Sequence, residues 1–126
     1  MKEIVEKLRS LEEIISKEKG EFDFFALFLR EDSFNKWDIL AASSWIDEKR
    51  EVALKYLASK VQDTLTKNEI VQISKIVLIE ENNPGLSVIQ KAIHIEHGIT
   101  EIKDSNFFGL DIKHAYLITS GNKQVA

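Results

Sequence analysis

Residues 22–47, FDFFALFLREDSFNKWDILAASSWID, hold two apolar runs joined by a short charged segment. In the first run Phe22, Phe24, Ala26 and Phe28 point to one side of a strand, and Phe25, Leu27 and Leu29 to the other. A strand that is apolar on both faces needs a covering layer on each side, so it belongs in the middle of a sheet. The second run, about Trp37–Ser44, follows a connection so short that the two strands should pair antiparallel. The rest of the chain is expected to cover or extend this pair.

The flanking segments supply that cover. Residues 2–19 space Ile4, Val5, Leu8, Leu11, Ile14 and Ile15 by threes and fours, the period of an amphipathic helix ending at Gly20. Ile4, Leu8, Leu11 and Ile15 also follow a two-heptad seam, so this face is expected to lie on the sheet and is a candidate for self-association. A second helix is expected over about 48–65, with Ser44 or Asp47 as its cap and Leu54, Leu57, Ala58, Val61 and Leu65 as its buried stripe. Ile73–Glu80 reads as a third strand, apolar on both faces and therefore expected inside the sheet. The helix between strands two and three predicts a right-handed parallel crossover. Asn83 as N-cap and Pro84 as first helical residue start a short helix carrying Leu86, Ile89, Ala92 and Ile93. Two extended segments close the chain, 99–103 and 107–119. In the latter Phe108, Leu110, Ile112, His114, Tyr116 and Ile118 are expected on one face, and 121–126 is expected to fray.

Fold class follows: α+β with α/β character, one domain over residues 1–126, and a mixed sheet of about five strands. An antiparallel first hairpin, a βαβ crossover and an N-terminal helix over 1–20 complete it. The chain's length suits a single core. The absence of cysteine excludes disulfides, thiol nucleophiles and cysteine zinc sites. Residues 21–51 carry eight acidic and four basic side chains, the reverse of a phosphate-binding stripe, so no nucleic-acid partner is expected. The longest apolar run, Phe24–Leu29, is far short of the roughly 20 residues that span a bilayer. No membrane partner is expected, and the reading is a soluble, cytoplasmic protein.

No P-loop, GxGxxG, GxSxG, HExxH or EF-hand pattern occurs, and no cofactor is implied. Parallel second and third strands would bring their C-terminal ends to one sheet edge, the usual ligand position in α/β proteins. That edge gathers Ser44, Trp45, Asp47, Glu80, Glu81 and Asn82, with Ser43, Asn83 and Asp23 nearby. Ser, Asp and Asn there also serve as ordinary helix caps, and Trp45 as ordinary core. His94, Glu96 and His97 are the candidate metal ligands, though on a regular strand His97 would face away from the other two unless Gly98 turns the chain. Glu101-Ile102-Lys103 and Asp111-Ile112-Lys113 each set an acid and a lysine on one strand face. The spacing resembles a motif of the restriction-endonuclease-like nucleases, but facing rows of acid and lysine are the standard dress of a solvent-exposed hairpin, and an exposed hairpin is expected. Two functional expectations remain. One is a non-catalytic homo-oligomer or scaffold module using the Ile4/Leu8/Leu11/Ile15 face. The other is a small-molecule-binding protein or enzyme with a polar site at the strand ends.

Overall fold

The computed structural model describes residues 1–121. Phe24–Arg30 forms β1, and it lies at the centre of a five-stranded mixed sheet, as its two apolar faces require. β1 pairs antiparallel with β2 (Trp37–Ala42) on one side and with β5 (Leu110–Ser120) on the other. β3 (Ile73–Leu78) lies parallel to β2, and β4 (Thr100–Phe107) antiparallel to β5, giving the order β3-β2-β1-β5-β4. The class is α+β. Among the described residues no helix is long and apolar enough to cross a membrane. The expected fraying at 121–126 falls, apart from Gly121, outside the described residues.

Each sheet face has its own core. Helix α1 (Lys2–Lys19) lays Ile4, Leu8, Leu11 and Ile15 on Phe25, Leu27, Leu29, Trp37 and Ile39. These four helix residues are at most 6% exposed, so the heptad-like face is spent within the chain itself. The opposite face buries Phe24, Ala26, Phe28, Leu40 and Ala42 under α5 (Pro84–Ala92) through Leu86 and Ile89. Phe22 precedes β1 and packs with the first core rather than with Phe24 and Phe28.

Several expectations need correction. β3 is an edge strand, not an interior one. Apolar residues on both faces report layers above and below a strand; they do not require a neighbour on each side. The second helix is broken at Lys49 (φ −146°, ψ 78°) into α2 (Ser44–Glu48) and α3 (Arg50–Thr64), and α4 (Lys67–Ile70) follows. Ala53, Leu57 and Val61 face the sheet, whereas Leu54, one position round the helix, is 41% exposed. Ser43, not Ser44 or Asp47, stands at the N-cap, and its hydroxyl donates instead to Glu21 O at 2.8 Å.

The last two strands meet at a two-residue turn, Phe108-Gly109, both with positive φ (56° and 74°). Asp104-Ser105-Asn106, between the two expected extended segments, lies within β4, whose edge position tolerates polar residues. The single-face reading of 108–118 is also wrong. Register shifts against β1 at Leu29/Arg30 and Phe25/Ala26 mark irregularities that change which way successive side chains point. Ile112, Ala115 and Leu117 therefore join the α5 core, while Tyr116 and Ile118 join the α1 core.

Candidate functional site

Helix α5 covers only part of its sheet face. Beside its first turn an open cleft of about 640 Å³ is lined by Phe28 of β1, Leu40 of β2, Val77 of β3 and Ile79 just after it; of these Phe28, Leu40 and Ile79 are buried. Phe108 and Leu110 from the β4–β5 turn form one wall, and Asn82, Asn83 and Pro84 line the approach to α5. A volume of this size matches pockets that take small molecules. Charged side chains surround the apolar floor: Arg30, Asp38, Arg50, Lys75 and Glu80.

These groups are positioned by the strands themselves. Asp38 stands opposite Phe28 on β1 and Lys75 on β3, at an inward position of a wholly buried strand. Arg30 Nε donates to Asp38 Oδ2 at 2.7 Å, and Arg30 Nη1 donates to Asp32 Oδ1 at 2.7 Å. The Asp38 hydrogen bond is the main cause holding the Arg30 guanidinium above its already high range. Arg50, the first residue of α3, reaches the end of the edge strand, where Nη2 donates to Leu78 O at 2.9 Å. Phe108 is held over the floor by ring contacts with Phe24 and Phe28, both 6.3 Å between centroids. It also lies against Gly85, where an added Cβ would come within 2.7 Å of its ring.

The residues singled out by sequence divide into two groups. Asp47, Glu80, Glu81 and Asn82 come together with Arg50 in a shallow hollow next to the cleft, and Glu80 and Asn82 border both. Asp47 Oδ2 accepts from Glu81 N at 3.1 Å, tying α2 to the segment after β3. Asn83 caps α5 as expected, accepting from Gly85 N at 2.8 Å. Ser44 and Trp45 belong elsewhere. Trp45 packs edge-on against Phe22 and Tyr56 and donates from Nε1 to Gly20 O at 3.1 Å, so it braces α1 against α3. Sequence reasoning missed Arg30, Asp38, Arg50, Lys75 and Phe108. Asp38 carried a usable signal, a lone carboxylate inside the otherwise apolar run 37–42.

A second polar cluster joins α1 to the end of β5. Glu12 is fully buried; it accepts from Thr119 Oγ1 at 2.7 Å and lies 2.5 Å from His97 Nδ1. His97 Nε2 in turn faces Glu21 at 3.3 Å and Glu96 at 3.9 Å. Burial works against a charged ring, but the hydrogen bond and charge of Glu12, with Glu21 and Glu96, outweigh it and raise the His97 pKa above the usual range. The group that converges is thus Glu21, Glu96 and His97, with ligand atoms within 4.8 Å of one another. His94, expected beside them, is outside that group, although it is exposed in the same hollow as Glu21 and Glu96. His114 pairs instead with Glu101 across the β4–β5 hairpin and stacks near Trp37 and Tyr116. Across the hairpin Glu101 stands opposite Tyr116 and Lys103 opposite His114, and Asn106 donates to Asp111 at 3.1 Å, so the acids there pair with His114 and Asn106.

Comparison with protein-family models, curated proteins and solved structures gave no match to this chain. The functional reading therefore rests on the geometry above.

Proposed function

We propose that this chain is a small-molecule-binding protein whose site is the cleft over Phe28, Leu40 and Val77. One observation supports the reading: a cleft of about 640 Å³ lies beside α5 over Phe28, Leu40 and Val77, ringed by charged and amide side chains. An apolar floor supplies affinity by area removed from water, and a few placed polar groups supply orientation. The self-association reading draws no support from Ile4, Leu8, Leu11 and Ile15, which are buried in the chain's own core.

A fragment screen followed by ¹⁵N–¹H NMR tests the proposal. Binders should shift the amides of Leu40, Val77, Ile79 and Phe108 together. Val77→Phe, which fills the cleft from the edge strand, should abolish those shifts and leave cooperative unfolding intact. Shifts scattered over other surfaces, or a library that moves none of these four amides, would remove the basis for a site here.

A further inference from the structure

The second polar cluster turns on His97, whose loop is pinned on both sides. Ile95 bridges to Ser120, and Gly98 N donates to Ile118 O at 3.0 Å. His97 N itself donates to Thr119 Oγ1 at 3.1 Å. The ring is fixed from beneath by Glu12, which is fully buried, lies 2.5 Å from Nδ1 and accepts from Thr119 Oγ1 at 2.7 Å. A carboxylate facing Nδ1 keeps a proton on that nitrogen, so in the neutral ring the lone pair belongs to Nε2.

Nε2 faces two more carboxylates, Glu21 Oε2 at 3.3 Å and Glu96 Oε1 at 3.9 Å. A lone pair turned toward carboxylate oxygens is repulsive unless a cation stands between them. In the metal-free chain a proton meets that need. A divalent ion meets it with bonds to all three residues, since one ligand atom from each of Glu21, Glu96 and His97 lies within 4.8 Å of the others.

The distances and the donor set select the kind of ion. Two ligand atoms on a tetrahedral zinc ion, each about 2.0–2.2 Å from it, stand about 3.3–3.6 Å apart. The His97–Glu21 separation of 3.3 Å already has that value. Glu96 has to close by only about half an ångström. Its side chain is 74% exposed and has room to do so. One imidazole nitrogen with two carboxylate oxygens suits a first-row transition ion, whereas calcium and magnesium favour shells of oxygen alone. Glu12 stands where metal-bound histidines commonly place an outer carboxylate, on the ring nitrogen away from the ion. Glu21 and Glu96 also border a hollow of about 460 Å³, which leaves a further coordination position open to water.

We propose that Glu21, Glu96 and His97 form a binding site for a divalent transition ion, with Zn²⁺ as its probe. The ion joins the connection between α1 and β1 to the loop that precedes β4. None of the three residues lines the cleft, so the two proposals stand independently.

Calorimetric titration of Zn²⁺ into the untagged full chain, first freed of metal by a chelator, tests this. One ion should bind per chain, and Mg²⁺ at the same concentrations should give no saturable signal. Glu21→Gln and Glu96→Gln each remove one ligand from an exposed position. Each should weaken Zn²⁺ by at least about tenfold, the loss expected even for an outer partner, and keep cooperative unfolding. His94→Ala, in the same hollow but outside the group, should leave the affinity unchanged. Absence of Zn²⁺ binding would overturn the proposal, as would Mg²⁺ binding as tightly as Zn²⁺, which marks a diffuse acidic surface. So would full affinity in the two glutamine variants, or a loss in His94→Ala equal to theirs.

Discussion

A carboxylate that loses all its water on folding must recover hydrogen bonds from the protein, and Glu12 recovers them from Thr119 and His97, with Ser16 Oγ at 3.4 Å. The sequence carried the hint: Glu12 lies four residues after Leu8 and three before Ile15, on the buried side of an apolar stripe. The partner was not legible, because Thr119 is 107 positions away and His97 turns inward through a positive φ of 51°. Asp38 repeats the pattern, with its position readable and its partner Arg30 readable only once the hairpin register is known. The Glu12 pair makes a pH prediction. His97 has a raised pKa in the fold, so its contribution to stability is complete below the unfolded value of about 6.5. It is lost as pH rises through the folded value. Glu69, whose pKa is lowered chiefly by Lys7, titrates at the acidic end and does not act in that window. Urea unfolding should therefore show stability falling from pH 6 toward 8.5. Glu12→Gln should flatten that slope and cost about 2 kcal/mol at pH 6, the range for a hydrogen bond to a charged group. A slope unchanged in Glu12→Gln would assign the titration to another residue.

Elements explain why the cleft is open where it is. α5 is only nine residues long, starting at the Asn83 cap and Pro84, and the cleft opens beside its first turn over β2 and β3. Helix α3 does not close the gap, since it packs on the other face and sends only Arg50 round the edge of β3. The cap and helix start were legible from Asn83-Pro84-Gly85 because those residues carry local chemistry. The position of Phe108 was not legible, because it depends on a turn whose polarity signals pointed three residues earlier, to Asp104-Ser105-Asn106. That turn can be probed directly. Gly109 has φ +74°, and a Cβ added there would meet no atom within 4 Å. Gly109→Ala therefore imposes a purely conformational penalty, about 1–2 kcal/mol for an L-residue in the left-handed region. Urea unfolding should register that loss, and the Phe108 amide should shift as the turn relaxes. A variant as stable as the parent would mean that the hairpin can change turn type without cost.

At the scale of the whole molecule, one strand pair is sandwiched between two cores of different origin. The first hairpin and its two-sided apolar pattern were readable from residues 22–47 alone, because neighbouring residues in sequence form the pairs. Strand order was not, since β1 finds its second neighbour at the far end of the chain, Phe24 opposite Ser120. That long-range closure makes α1 more than a cover. It supplies Ile4, Leu8, Leu11 and Ile15 to the first core and Glu12 to the clamp on Thr119 and His97. Burying four such apolar side chains contributes about 6–12 kcal/mol, at about 1.5–3 kcal/mol each. That is as large as the whole stability of an ordinary domain, about 5–15 kcal/mol. A chain beginning at Glu21 should therefore lose cooperative unfolding and near-ultraviolet circular dichroism, and should bind a hydrophobic dye through the uncovered Phe25, Leu27 and Ile39 face. Removing the charged surface of α1 by Glu6→Ala and Arg9→Ala, an exposed pair, should change stability by less than about 1 kcal/mol. If the shortened chain still unfolds cooperatively and leaves the dye unbound, the α5 core alone specifies the sheet, and the two faces are independent rather than parts of one folding unit.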